Sequence, residues 1–313
     1  MTELLVLSEA DVEAALDLGE LHDALVDCFR SISAGRIHVP PRTAVDAPAG
    51  SLLTMPGRVG DTSLAVKLVT LFAANADIGL PSHQGAVMLF DIATGTPTAL
   101  MGAEFLTQMR TAVASAIAAD LLADPDAEVL ALIGAGVQGR GHLRTFRRLR
   151  PWREIRVWNR TAERAARLVE GEPAAIVSDS VAEAVRGAHV VALCTHGSEP
   201  LFAGDSVAPG AHVSSVGIGR EIPDDLLSSA RVVVEWTGAA AEPPPAGALD
   251  LVASEPDEVV ELGALLDGLA PGREHRDQIT IYKSTGHAAE DAVAAAVAHR
   301  RARALGIGAT VEV

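Results

Sequence analysis

Cysteine is scarce in this chain. The 313 residues hold two, Cys28 and Cys194. They lie far apart, without CxxC or Cys/His spacing, which argues against a disulfide framework and against a zinc or other metal site. Two buried thiols are expected instead. Positive charge is also in short supply: 25 Lys plus Arg face 41 Asp plus Glu, a formal charge of -16. The surface as a whole repels nucleic acid and anionic membrane, so any basic patch is local. No uninterrupted apolar run is long enough to span a bilayer. The opening "MTELLVLSEADVEAAL" lacks a basic n-region and turns polar at once, so no secretory signal and a cytoplasmic location are expected. Tandem repeats and low-complexity segments are missing too, apart from a richness in alanine.

What is present suits two domains. Ser8 reads as the N-cap of one helical stretch, "EADVEAALDLGELHDALVDCFRSISAG", stopped by Gly35. Strand-like pieces follow, "TAVDAPAG", "SLLTMPG", "LAVKLVTLF" and "GAVMLFDIATGTPTALM", the last containing a hairpin turn at "ATGTP". "TQMRTAVASAIAADLLA" is an Ala/Leu-rich helix ended by Asp124-Pro125. From Glu128 short apolar runs alternate with helical or loop sequence, the pattern of a doubly wound parallel sheet. "EVVELGALLDGL" reads as a further helix, and "ITIYKSTGHAAEDAVAAAVAHRRARALG" as a strand running into a long helix that finishes the chain.

Two features carry chemistry. In "SLAVKLVTLF" the cation Lys67 interrupts an apolar strand. A buried ammonium costs several kcal/mol, roughly, unless it is paired or hydrated. Lys67 therefore either alternates outward to solvent or has work to do. The second feature is Gly134, Gly136 and Gly139, a G-x-G-x-x-G that follows a strand and opens a helix. That context suits a tight turn, close approach to a pyrophosphate and a helix N-terminus with unfilled N–H groups. We place cofactor contacts at Gly134, Gly136, Val137, Gln138 and Gly139, at Asn159, Arg160 and Thr161, and at Thr195. Where an acidic residue would hold the ribose of NAD, the chain reads "WNRT". A guanidinium there suits a 2'-phosphate, so NADP(H) is preferred, with NAD(H) as the alternative.

"PRTAV", "VKLVT", "GLPSHQGAVMLFDIATGTPTALM", "LTQMRTAVASAIAADLL", "GAGVQGRGHL", "VWNRT" and "YKSTGHAAEDAVAAA" together resemble the ornithine cyclodeaminase and mu-crystallin family over nearly the whole chain. The resemblance implies an α/β architecture: a Rossmann domain, 124–287, inserted into an α+β substrate-binding and dimerisation domain, 1–123 plus 288–313. It implies a homodimer and a substrate pocket between the two domains. It also implies that Arg42, Lys67 and Arg110 converge on a substrate carboxylate and the nitrogen-bearing carbon beside it. Arg offers a planar fork for a carboxylate, and Lys a movable charge that neighbouring cations push toward neutrality. Ser82, His83 and Thr111 are further substrate candidates. Asp291, four residues after His287, is assigned to the nicotinamide end or to a helix cap.

One departure shapes the functional expectation. Cyclodeaminases of the family carry an Asp in a loop after the fifth sheet strand, but "SSVGIGREIPDDLL" is shorter and has Ile218 and Gly219 in that region. Glu221, Asp224 and Asp225 lie just beyond, where "PDDLL" reads as an acidic helix start. Ketimine reductases of the family do without that Asp and share "WNRT"- and "PSHQ"-like segments. The leading expectation is thus an NADPH-dependent reductase of a small α-imino or cyclic imino acid. An alanine dehydrogenase-type enzyme, a cyclodeaminase and a non-catalytic NADP-binding protein are the alternatives.

Overall fold

The structure is a computed structural model in which residues 3–256 and 258–313 are described, apart from the side chains at positions 76 and 77. The chain divides into two compact units, Met1–Arg110 with His287–Val313, and Thr111–Gly286. The second is inserted in the first. The border falls inside the helix Glu104–Leu122, earlier than the expected 123/124, because the first turns of that helix belong with the first unit. Asp124-Pro125 ends the helix without dividing the units.

The first unit is built on β1 (Glu3–Leu7), β2 (Ile37–His38), β3 (Thr43–Ala47), β4 (Gly50–Val59), β5 (Ser63–Leu71), β6 (His83–Phe90) and β7 (Pro97–Gly102). A strand at the end of the chain, Ala309–Glu312, pairs with β1, and the sheet continues β1-β7-β6-β5-β4-β2, with β3 also paired to β4. That terminal strand is missing from the sequence reading, since four residues of "ATVE" are too few to show a period. The expected single N-terminal helix is two, Glu9–Ala15 and Leu18–Ser33. Asp17 breaks it by accepting from the backbone N–H of Gly19 and Glu20, which starts a new helix. The helix Ala288–Leu305 lies against β4, β5 and β6 and against Leu18–Ser33. Small residues permit the approach: a Cβ on Gly57 would stand 3.1 Å from the backbone of Ala288.

Period two settles the placement of Lys67. On β5, Ser63, Ala65 and Lys67 are buried, whereas Leu64 and Val66 are half-buried and Leu68 is 39% exposed. The cation is on the covered face and the leucine on the open one. In register Lys67 stands between Met55 of β4 and Val87 of β6, both buried, so its stem lies in an apolar row.

The second unit has β8 (Val129–Ile133), β9 (Glu154–Trp158), β10 (Ala175–Val177), β11 (Val190–Leu193), β12 (His212–Val216), β13 (Arg231–Val234), β14 (Val259–Glu261) and β15 (Thr280–Ser284). Their order is β10-β9-β8-β11-β12-β15-β13-β14, and every pairing is parallel. β8, β11 and β13 are buried along their whole length, as continuous Val/Leu/Ile runs require when a sheet is covered on both faces. The direction of winding reverses between β8 and β11, which places the ligand crevice of such sheets at their carboxyl ends. "EVVELGALLDGL" opens with β14 rather than helix, because Val259, Val260 and Glu261 pair with β13 and form the edge of the sheet. Cys28 and Cys194 are buried free thiols. No helix among the described residues is long and apolar enough to cross a membrane.

Candidate active site

In the first unit the inward face of β5 meets the N-terminus of the helix Ala288–Leu305. Lys67 Nζ lies 2.6 Å from Asp291 Oδ2. The other oxygen of Asp291 accepts from Arg110 Nε at 3.0 Å, and Arg110 Nη1 donates to Glu290 Oε2 at 3.3 Å. All four side chains are buried. Arg110 is held by a helix whose first turn is capped from a distance: the carboxylate of Glu9 accepts from the N–H of Glu104 at 2.9 Å and of Phe105 at 2.8 Å. His287 is the N-cap of the partner helix. Its N–H donates to Glu290 Oε1 at 2.9 Å, and its Nδ1 accepts from Ala289 N at 3.4 Å.

The electrostatics follow from burial and pairing. Burial pushes the Lys67 ammonium down to about 8; Asp291 works against this, and the charges of Arg110 and Arg42 add to it. Burial would raise the Asp291 carboxyl, yet Lys67 and Arg110 outweigh it and hold the group below its ordinary value. His287 is pushed down to about 4 by burial, so near neutral pH it is an uncharged acceptor. Lys67 and Arg110 pair with Asp291 and Glu290, and the charge of Arg42, half-buried just before β3, is felt at Lys67 and His287.

The other substrate candidates are Ser82, His83 and Thr111. Ser82 Oγ and His83 Nδ1 are 3.0 Å from each other, and His83, at the start of β6, is exposed. Thr111 is buried one residue after Arg110. Asp291, read from sequence only as a cap or a nicotinamide neighbour, is the centre of the ion-pair group. Its signal was the i to i+4 spacing from His287, which marks one helix face but not what that face meets.

The second unit carries the glycine turn. Gly134 has φ +110°, and a Cβ there would stand 2.6 Å from the Cys194 carbonyl oxygen. A Cβ on Gly139 would stand 2.0 Å from the Gly134 carbonyl oxygen. Around Gly136, by contrast, nothing lies within 4 Å of the Cβ position. Gly136 is the N-cap of Val137–Leu149 and gives that helix no side-chain cap. Gln138 Oε1 is buried and has no hydrogen-bond partner among the described residues. Two glycines are thus demanded by close packing, while the middle one fronts open room beside uncapped N–H groups, an arrangement that fits a pyrophosphate. Asn159 braces the turn, accepting from Ala135 N at 3.0 Å and donating to the Thr161 carbonyl at 2.9 Å. Arg160 is exposed and makes no hydrogen bond or ion pair among the described residues; Thr161 precedes the helix Ala162–Val169 without a side-chain cap.

Thr195 is tied to a group the sequence did not reveal. Its hydroxyl donates to Glu221 Oε1, which also accepts from Gly197 N at 3.1 Å, and Glu221 Oε2 accepts from Ser215 Oγ at 3.1 Å. The backbone N–H of Glu221 donates to Asp250 Oδ1 at 2.8 Å, and Asp250 pairs with Lys283. Glu221, Asp250 and Lys283 are fully buried. Glu221 is therefore set apart from Asp224 and Asp225, which open the helix Asp224–Ser229 as the sequence suggests. It pins the shortened loop at Ile218 and Gly219 to the end of β11.

Fold and site together define a two-unit α/β protein with a Rossmann sheet and a buried Lys/Arg/carboxylate group. The chain belongs to the ornithine cyclodeaminase/mu-crystallin family, whose profile matches residues 2–305. It is 38% identical over 271 residues to the ketimine reductase mu-crystallin of Mus musculus, covering 83% of this chain and 84% of that protein. Among solved structures it is similar to the Delta(1)-pyrroline-2-carboxylate reductase of Thermococcus litoralis in complex with NADH and L-proline. The TM-score is 0.90 at 30% identity, covering 98% of this chain and 100% of that one. An archaeal alanine dehydrogenase dimer with bound NAD is similar at TM-score 0.88 and 27% identity, covering 99% of each chain.

Proposed function

We propose that this protein is an NADPH-dependent reductase of the C=N bond in a small α-imino or cyclic imino carboxylic acid, forming an amino acid. The observation that carries the reading is Lys67, a buried ammonium beside two arginines, whose one polar partner among the described residues is Asp291. Arg42, with Arg110, attracts the substrate carboxylate, and Lys67 donates a proton to the adjacent nitrogen: an N–H bond forms as the Nζ–H bond breaks, and the neutral amine regains its proton from water. Bound NADPH supplies the hydride that reduces the carbon of the C=N bond. Gly134 and Gly139 shape the turn and Gly136 leaves room for the pyrophosphate, while Arg160 and Thr161 offer a cation and a hydroxyl to a 2'-phosphate. Ser82, His83 and Thr111 are assigned to the rest of the substrate.

Likeness to the mouse ketimine reductase and to a pyrroline-2-carboxylate reductase supports this reading. Likeness to the archaeal alanine dehydrogenase favours a second one, in which the same hydride step follows addition of ammonia to a keto acid. Deamination of ornithine is disfavoured, since Ile218 and Gly219 offer no carboxylate and Glu221 is engaged with Thr195, Gly197 and Ser215. The test is product analysis with NADPH and a cyclic ketimine acid, pyruvate plus ammonia, or ornithine, side by side. Reduction of the ketimine without a requirement for ammonia is expected. Proline and ammonia from ornithine would overturn the reading.

A further inference from the structure

The chain has only two lysines, Lys67 and Lys283; every other basic residue that is not histidine is an arginine. Both lysines are buried and both face an aspartate, but their surroundings differ. Lys283 also donates to Ser215 Oγ at 2.9 Å and to the Gly219 carbonyl at 3.4 Å. The second oxygen of its partner Asp250 is filled by the backbone N–H of Glu221 and Ile222. That pair is saturated and serves to hold a loop. Lys67 has three N–H bonds and, among the described residues, one acceptor.

We propose that Asp291 is the positioning residue for proton delivery: it holds the Lys67 ammonium at the inward face of β5, aimed by one carboxylate oxygen while Arg110 fixes the other, and leaves the remaining Lys67 N–H bonds for the substrate. This rests on the reductase reading and names the carboxylate that supports its acid. No residue of the shortened loop is needed for that role. An aspartate on a strand or loop could swing away, but Asp291 sits in the first turn of a helix whose capping box, His287 with Glu290, is itself buried. Glu290 extends the restraint, because one of its oxygens caps the helix and the other takes Arg110. The charges acting at Lys67 are Asp291 from the helix, Arg110 from Glu104–Leu122 and Arg42 before β3; around the carboxylates stand His287, which donates its N–H to Glu290, and the Cys28 thiol from Leu18–Ser33, which feels the charges of Glu290 and Asp291. Of these, Asp291 alone both touches Lys67 and favours its charged form.

With two lysines, protein labelled at lysine Cε with 13C gives two side-chain signals, and Lys67→Met assigns one of them. The wild-type Lys67 signal should titrate near 8. In Asp291→Asn the midpoint should fall by about one unit or more, and the alkaline limb of the kcat profile for ketimine reduction should move down by the same amount. Asp291→Glu should restore the midpoint to within about half a unit. An unmoved Lys67 midpoint in Asp291→Asn would overturn the proposal, as would a kcat loss equal at all pH values. Should Asp291→Asn fail to fold, Asp291→Glu decides alone: a lost Lys67 titration in that folded variant overturns the proposal, and a retained one with a shifted kcat supports it. The signal is read without turnover, so a wild-type protein that reduces no imine fails the reductase reading while the pairing is still tested.

Discussion

A Cβ at Gly139 would stand 2.0 Å from the carbonyl oxygen of Gly134, whereas one at Gly136, between them in sequence, would meet nothing within 4 Å. The same motif therefore contains glycines required by the fold and a glycine that the fold itself does not require. Gly139→Ala should lower the melting temperature, since backbone must move to admit the methyl. Gly136→Ala should cost at most about 1 kcal/mol, the scale of an N-cap change, yet weaken cofactor binding at least about tenfold by filling the pyrophosphate's approach. Calorimetry of both variants with and without NADPH checks this; unchanged affinity in Gly136→Ala would count against the cofactor site.

On the proposed reading cofactor choice turns on Arg160, which is exposed just after β9 and makes no hydrogen bond or ion pair among the described residues. A carboxylate there would accept from ribose hydroxyls and repel a phosphate, so Arg160→Asp should invert a preference for NADPH over NADH. Titration of intrinsic Trp fluorescence with both cofactors is the measurement. Equal affinities in the parent protein would remove the basis for the NADP reading.

Period and turn chemistry made much of the fold legible. Alternation located β5 and β6, continuous Val/Leu runs located the parallel sheet, and glycine spacing located its first turn. What stayed hidden depends on which faces meet. Nothing in "VKLVT" says that Lys67 points at Asp291, some 220 residues on, or that Glu221 leaves the acidic cluster at Asp224 and Asp225 to bind Thr195. Asp250, in the first turn of the short helix Leu249–Ser254 just after "EPPPAGA", carries no periodic signal, and only the fold brings it to Lys283.

Removing Lys67 tests the proton donor. Lys67→Ala should abolish turnover while NADPH still binds, because the cofactor turn belongs to the other unit. Some stability should also go, since Asp291 keeps only Arg110 as counter-ion. The arginines should differ. Arg110→Ala removes a cation that pairs with both Glu290 and Asp291 in a buried group, so it should destabilise the first unit by about 3 kcal/mol or more. Arg42→Ala should mainly raise KM, as loss of uniform binding does. Steady-state kinetics beside thermal melts separate the cases; a normal kcat in Lys67→Ala would eliminate Lys67 as the acid.

Acid should destabilise the protein well before its carboxylates titrate. His142 and His287 are pushed down by burial to about 4, and His212 to about 3. Each is neutral in the folded chain. His212 is bridged between Thr280 and Ser214 hydroxyls at 3.0 Å, and His142 between Ser115 and the Gln138 carbonyl. Unfolded histidine takes a proton near 6.5, so between that value and the folded ones the unfolded state binds more protons and stability falls as pH falls. The loss for each is on the order of a few kcal/mol when complete. Asp291, depressed by its cations, adds its own loss only below the ordinary carboxylate range. Urea midpoints at pH 7.5, 6 and 5 should decline steadily, and a flat response over that span would contradict the neutral-histidine assignment.

The open face of the first sheet bears on assembly. Val45 is 64% exposed, Leu52 38% and Leu68 39%. The pairings of Val45 with Leu52 and of Thr54 with both Thr43 and Leu68 put all of them on the face opposite Lys67. Val66, Met88 and Leu100 continue that face across β5, β6 and β7. A broad apolar surface of this kind marks an interface, and a twofold dimer covers it with its own copy. We therefore expect a homodimer. Leu68→Glu puts a carboxylate in the middle of the contact, where two copies would bring like charges into apolar surroundings, while leaving the inward row of Met55, Lys67 and Val87 untouched. Light scattering at micromolar concentration should give twice the chain mass for the wild type and a single chain for Leu68→Glu. A wild-type monomer, or a dimer indifferent to the substitution, would show that this face is not the interface.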